Sequence, residues 1–483
     1  MSISNELCLH TATEAVGLLL RGEVSPLEMV EAAARRIEAI DGQINALPTR
    51  FFDRARDMAR RFPVGRSDRD AQPGWLAGLP IAVKDYNDVA GQRTTYGSPI
   101  YAGNVAARSD TTVLVLEASG AIPIAKSNVP EFAGAHTFNP VFGPTRNPWN
   151  GTRTAGGSSG GAGAALAARM VWLATGNDLG GSLRIPASFC GVVGLRPSVG
   201  RVPRPAANPP FDPLWAEGPM GRTVADVALM LDAETGETPR DPLSRPRPPK
   251  PFAAAAREPS APRRVGFSVN LGLSNVDPEV ADICRAAALR LAALKADVIE
   301  ACPNFGDAGY GDALETFQTL RALMFASVRG ELVATDRPRI APEIVWNLEK
   351  GLALTADEIL RAERNRARLY HEVTGFFERF DLFACPTVAV PPFPIEQRFP
   401  TEIGDQKLTT YIDWMFLTFV ITLTGCPAIS VPCGFTKSGL PVGLQLVGPP
   451  HGDFALLAAA AAFEQACGPL QKQAPALNGA MAM

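Results

Sequence analysis

Residues 154 to 196 read TAGGSSGGAGAALAARMVWLATGNDLGGSLRIPASFCGVVGLR. Two glycine-flanked serine sites lie in this stretch, Ser158 with Ser159 in GGSSGG and Ser182 in DLGGSLR, with a short apolar run between them. Glycine admits positive φ and close backbone approach, so the loop Asp178-Leu179-Gly180-Gly181-Ser182 can aim several N–H groups at one point. Such a cluster beside a hydroxyl suits acyl transfer, where negative charge develops on a carbonyl oxygen. Ser182 therefore reads as a nucleophile with its oxyanion site built in.

A serine hydroxyl needs a base. The four histidines, His10, His136, His371 and His451, sit in no setting that marks one. Lys84 closes the strand-like run Leu79-Pro80-Ile81-Ala82-Val83, and a lysine at the end of an apolar strand is poorly solvated, which lowers its pKa. Bringing it from ~10.4 to ~8 takes about 3 kcal/mol of differential environment, within reach of partial burial. Taken alone, Lys84 reads as a surface lysine at a strand end rather than as a base.

The chain resembles the amidase signature family, serine hydrolases that cleave amides with a Ser-Ser-Lys triad. The matching residues are AVKD (Ala82 to Asp85), AKSNVPEF (Ala125 to Phe132), FNPVFGPTRNPWN (Phe138 to Asn150), GGSSGG (Gly156 to Gly161) and NDLGGSLRIPASFCGVVGLRPSVGRV (Asn177 to Val202). CPAISVP (Cys426 to Pro432) and LPVGLQLVG (Leu440 to Gly448) extend the match, which weakens between about 239 and 380. The resemblance implies Ser182 as nucleophile, Ser158 as a bridging serine in a cis peptide bond, Lys84 as base, and the N–H groups of Leu179, Gly180, Gly181 and Ser182 as oxyanion donors. Ser159, Asp178 and Arg184 are expected to support the site, the last two as an ion pair that orients the loop. Asn177, Leu179 and Ala162 depart from the common family pattern without removing a triad member.

The implied fold is α/β: a large mixed, mostly parallel twisted sheet covered by helices on both faces, one domain over residues 1–483. N-terminal helices are expected within 1–70 and a variable, mainly helical pocket region over about 270–380. Composition agrees, since 46% apolar and 20% charged residues suffice for a sizeable core. A net charge of −3 gives no reason to expect nucleic acid or an anionic membrane as partner. No stretch reaches the ~18 apolar residues of a membrane span, and the N-terminus lacks a leader pattern, so a cytoplasmic protein is expected. The eight cysteines show no C-x-x-C spacing and read as buried free thiols; no metal or cofactor is expected.

Thr11 with Glu14 and Ser25-Pro26-Leu27-Glu28 are capping-box patterns, predicting two amphipathic helices over 11–40. Strands are predicted at Leu79 to Val83, Ala121 to Ala125 and Val171 to Thr175, with helices at Asp110 to Ser119 and Gly160 to Met170. Lys84 and the Asp178 loop then fall at carboxyl ends of strands, where sites of such sheets lie. The proline-rich segment from Pro239 to Pro262, with its AAAA run, reads as an irregular surface connection. Further on, a strand is predicted at Val265 to Val269, a helix at Asp277 to Ala296, helices from Gly311 to Phe380 and a strand at Asp381 to Cys385. Tyr411, Trp414, Phe416 and Phe419 fall in a long connection, more core than substrate platform, before a hairpin of Ala428 to Phe435 and Val442 to Val447.

Gly156 to Gly160 also fits the G-x-S-x-G elbow, but NPWNGTRTA before it is polar and turn-rich rather than an apolar strand. GGSSGGAG has no P-loop lysine and S-x-x-K is absent. The expected activity is hydrolysis of small or aryl amides, extending to carbamates and esters, by a monomer or homodimer acting on a small-molecule amide. The alternative is a glutamine-dependent amidotransferase A-type subunit that supplies ammonia to a partner.

Overall fold

The computed structural model describes residues 6–63, 72–205, 209–306, 309–468, 470 and 473–477. Its spine is an 11-stranded sheet. In chain order the strands are β1 (Thr49–Arg50), β2 (Pro80–Lys84), β3 (Ile122–Ser127), β4 (Leu173–Asp178), β5 (Val193–Arg196), β6 (Ala216–Gly221), β7 (Arg264–Phe267), β8 (Asp297–Glu300), β9 (Leu382–Pro386), β10 (Ala428–Phe435) and β11 (Pro441–Val447). Their order across the sheet is β1-β3-β2-β4-β6-β5-β10-β11-β9-β7-β8.

The expected mixed sheet keeps its parallel pairing in two blocks. One is β3-β2-β4 and the other is β9-β7-β8. Between them the chain runs antiparallel from β4 through β6, β5, β10 and β11 to β9. The antiparallel middle is what aims β6 at the site. Because β6 runs against β4, its first residues meet the last residues of β4, with Asn177 opposite Glu217 and Asp178 opposite Ala216.

Helices cover both faces, as the alternation along β9 shows. Leu382 and Ala384 pack into a core cluster with the helices Pro278–Ala293 and Asp453–Cys467, while Phe383 and Cys385 pack into another with the helices Phe416–Thr424 and Gly309–Arg329. Successive side chains of a strand point to opposite faces, so one strand feeds two cores. Both N-terminal helices form where their capping boxes predict, Ala12–Arg21 and Pro26–Ile44, each with the reciprocal hydrogen bonds in place. Parts of the expected N-terminal region, residues 1–5 and 64–70, lie outside the described residues. No helix among the described residues is long and apolar enough to cross a membrane. All eight cysteines are unpaired, and seven are buried.

Two elements differ from the sequence reading. The AAAA run is not irregular surface chain: Phe252–Arg257 is a short helix whose Phe252 and Ala255 are buried, and the Asp232 carboxylate accepts the Phe252 and Ala253 N–H groups at 2.7 and 2.8 Å. The long connection after β9 contains the helix Phe416–Thr424, buried on every side. A helix with no solvent face shows no amphipathic period, and its β-branched and aromatic residues disguise it further. Trp414 just before it is core, as expected. In line with the sequence reading, the polar ribbon ahead of GGSSGG, Asn150–Thr154, pairs with Arg146–Asn147 and bridges from Arg153 to Pro394 but stays outside the main sheet, so the elbow geometry is absent there.

Candidate active site

Lys84 ends β2 and Asp178 ends β4, its parallel neighbour, so both reach the same edge of the sheet. The Lys84 side chain is fully buried. Its Nζ lies 2.8 Å from Ser158 Oγ, 2.8 Å from Ser159 Oγ and 2.6 Å from Asn177 Oδ1. Burial pushes the ammonium well below the ordinary lysine range, against the opposing charges of Glu217 and Asp178.

These three partners fix how a neutral Lys84 is used. A neutral amine has two N–H bonds and one lone pair, and an amide oxygen only accepts, so one N–H goes to Asn177. The other N–H and the lone pair are divided between the two serines. A neutral Lys84 therefore accepts a proton from one serine while donating to the other.

A second buried lysine, Lys126 on β3, is adjacent in the sheet but differently occupied. Its Nζ donates to the Asn87 carbonyl and, at 2.9 Å, to Thr94, with Asp85 at 3.9 Å. It holds the AVKD turn, and among the described residues no serine shares its nitrogen.

Ser158 and Ser159 lead into the helix Gly160–Ala167, and the Gly157–Ser158 peptide bond is cis. The Ser159 N–H donates to the Ser182 carbonyl at 3.3 Å, which ties the serine loop to the Asp178 loop. Ser182 is half-buried and lines a pocket with Asn177, Leu179, Gly180, Trp215 and Phe317. Its hydroxyl makes no hydrogen bond to another described residue, so the structure brings Lys84, Ser158 and Ser159 into contact and places Ser182 beside them with its oxygen uncommitted.

The Asp178 carboxylate builds the loop around itself. It accepts the Gly181 N–H at 2.9 Å and the Leu183 N–H at 3.1 Å. Arg184 binds it through Nε at 3.0 Å and an Nη at 2.8 Å, and Arg196 approaches at 3.4 Å. Burial alone would raise this carboxyl, but the charges and hydrogen bonds of Arg184 and Arg196 prevail and hold it well below the usual carboxylate range. Thr418 from the buried helix secures the far side, donating to the Gly180 carbonyl at 2.6 Å. Gly181 has φ +122°, and a Cβ there would lie 2.3 Å from Thr418 Oγ1, so only glycine fits. Of the four expected oxyanion donors, the Gly181 N–H is thus shared with Asp178. Those of Leu179, Gly180 and Ser182 make no hydrogen bond to another described residue.

Sequence reading missed four residues here, Thr418 on the Gly180 carbonyl among them. Asn177 was visible only as a departure from the family pattern. Arg196 is the second cation on Asp178. Glu217, buried at the start of β6, accepts from Trp215 Nε1 at 2.7 Å and from Asn87 Nδ2 at 3.4 Å, and burial pushes its carboxyl up. A strand reading AEGPMG carries no alternating pattern that could have announced it. His136 is buried with Nδ1 3.1 Å from Thr154 Oγ1.

A model of the amidase family matches residues 28–457. The chain belongs to the amidase signature family. This amidase-signature chain is 35% identical over 459 residues to an acylamidase of Rhodococcus erythropolis, spanning 94% of each. It is 37% identical over 480 residues to the A-type subunit of the glutamyl-tRNA(Gln) amidotransferase of Moorella thermoacetica, spanning 95% of this chain and 97% of that one. The crystal structure of a bacterial aryl acylamidase of the same family superposes with a TM-score of 0.87 at 29% identity, covering 95% of this chain and 96% of that one. The chain is an amidase-signature enzyme of the amide-hydrolase type.

Proposed function

We propose that this enzyme hydrolyses the C–N bond of small or aryl amides, and of carbamates and esters with the same carbonyl geometry, through an acyl-enzyme on Ser182. The observation that carries the reading is the buried Lys84 Nζ shared by Ser158, Ser159 and Asn177 at the sheet edge where the Asp178 loop presents Ser182. Neutral Lys84 takes the Ser158 proton as Ser158 takes that of Ser182, while Ser159 accepts the remaining Lys84 N–H. The Ser182 oxygen adds to the carbonyl carbon, and the oxyanion meets the loop N–H groups of Leu179, Gly180 and Ser182, with Gly181 shared with Asp178. The relay then runs backwards: Lys84 returns a proton through Ser158 to the amide nitrogen, the C–N bond breaks, and water repeats the path to release the acid.

Hydrolysis of a 4-nitroanilide, a primary amide, an aryl carbamate and glutamine by the purified chain alone tests the proposal. Turnover of an anilide or carbamate without a partner is the expected result. Activity confined to glutamine would place the chain with amidotransferase subunits instead.

Lys84 works only when neutral, so activity is lost as pH falls through its pKa. A kcat/KM profile for the anilide is expected to rise through neutrality to a plateau on the mildly alkaline side, because burial has moved the lysine down. A profile that is flat or favours acid would remove Lys84 from the base role. Glu217 acts on the same limb with a definite sign: its charge raises the Lys84 pKa. Glu217→Gln is therefore expected to displace the acid limb to lower pH by roughly half a unit to one unit, and a limb moving to higher pH would contradict the assignment.

A further inference from the structure

The pocket beside Ser182 is lined by small, apolar and neutral polar side chains with one exception, Arg321. Arg321 projects from the helix Gly309–Arg329 and is 4% exposed. A guanidinium taken out of water is ordinarily matched by a carboxylate. Every other arginine buried to this degree around the site has one: Arg184 and Arg196 share Asp178, and Arg204 has Asp241. Arg321 forms no ion pair with any described residue. Its polar partners are both neutral, Asn347 Oδ1 at 2.6 Å and the Tyr411 hydroxyl, and its guanidinium lies 4.3 Å from the Phe325 ring centroid and 5.3 Å from that of Tyr411.

The aromatic faces and Asn347 hold the fork in place and leave its charge unmatched. Asn347 contributes a further unmet donor, since its Nδ2 is buried without a hydrogen-bond partner. Two turns along the same helix, Arg329 lies over the Tyr86 and Phe132 rings at 5.5 and 4.9 Å, a second cation facing the aromatic residues behind the pocket. Tyr86 in turn packs at a tilt of 35° against Trp215 of the pocket wall, with ring centroids 5.5 Å apart.

We propose that Arg321 is a specificity-determining residue that binds an anionic group of the substrate, so that the preferred substrates are amides bearing a carboxylate on the acyl or the amine portion. A planar carboxylate matches the guanidinium fork in two parallel hydrogen bonds and supplies the countercharge that the protein withholds. The inference rests on the hydrolase reading of the pocket for the word substrate, and on Arg321 alone for the word anionic.

The test compares three chromogenic amides of similar size: butyryl-4-nitroanilide, which is neutral; glutaryl-4-nitroanilide, with an acyl-side carboxylate; and the butyramide of 5-amino-2-nitrobenzoate, with an amine-side carboxylate. The readout is the ratio of kcat/KM for each carboxylated amide to that of the neutral one. At least one ratio is expected at about 10 to 100 in the wild-type enzyme. Arg321→Gln should collapse that ratio toward one, and Arg321→Lys should restore part of it. Wild-type ratios of one or less for both carboxylated amides overturn the proposal whatever the variants do, as does a ratio that Arg321→Gln leaves unmoved.

Calorimetric binding of the same compounds to Ser182→Ala makes the comparison without turnover. Tighter binding of a carboxylated compound supports anion recognition even if no amide is cleaved, an outcome that would count against the hydrolase reading alone. Equal affinity, or no binding of either carboxylated compound, overturns the proposal.

Discussion

Lys84→Met is expected to lower kcat/KM for an aryl amide by about 10⁴-fold or more, with Ser182→Ala matching it and the double variant adding little, because residues that act as one unit fail together. Methionine fills the volume of the lysine stem, so the fold should survive. What disappears is the nitrogen that touches Ser158, Ser159 and Asn177 together. Stability is pulled both ways: Asn177 Oδ1 loses its donor, a cost of about 1–3 kcal/mol, while the cost of burying an amine is removed. Urea unfolding of the variant close to that of the wild type, together with loss of anilide turnover, is the expected pair of results. Retention of activity within tenfold would mean that another group takes the serine proton. The nearest other lysine, Lys126, is committed to Asn87, Thr94 and Asp85.

How much of this site was legible in the sequence depends on whether its signal was local. The capping boxes at Thr11 and Ser25 are four-residue patterns, and both helices start where they say. Lys84 was legible only through the family resemblance, because the apolar run before it marks a strand without telling a buried base from a surface lysine at the strand's end, whereas the Asp178 loop was legible because its glycines mark close approach. Glu217 was not, since its position depends on β6 running against β4, a tertiary fact that brings the beginning of one strand to the end of another. The rule that sites gather at carboxyl ends of parallel strands finds Lys84 and Asp178 and passes over a residue that arrives from the opposite direction. Arg196 and Thr418 escaped for a related reason. Their partners, Asp178 and Gly180, lie 18 and 238 residues away, and no spacing rule connects them. The helix Phe416–Thr424 was hidden by being buried all round, and with it the residue that fixes the far side of the loop.

Asp178→Asn is expected to cost about 3–5 kcal/mol of stability and most of the activity, because it removes the charge from a carboxylate that two buried arginines need. The substitution is nearly isosteric, so the loss is electrostatic rather than steric. An amide keeps one acceptor oxygen but turns an NH₂ toward Arg184 or toward the Gly181 and Leu183 N–H groups, and Arg184 and Arg196 remain as uncompensated cations. The sign of the pH dependence follows from the depressed Asp178 carboxyl. A lowered folded-state pKa stabilises the protein above the unfolded carboxylate value of ~3.9, and the contribution is lost only as pH falls below that toward the folded value. The deficit of Asp178→Asn in urea unfolding should therefore be constant from about pH 5 to about pH 8 and shrink only in stronger acid. The kinetic loss should fall on kcat more than on KM, since in the proposed mechanism the loop receives the developing oxyanion, not the ground-state amide. A deficit under about 1 kcal/mol would show that Arg184 is held well enough by Gln445, Thr422 and the Thr418 carbonyl without its carboxylate.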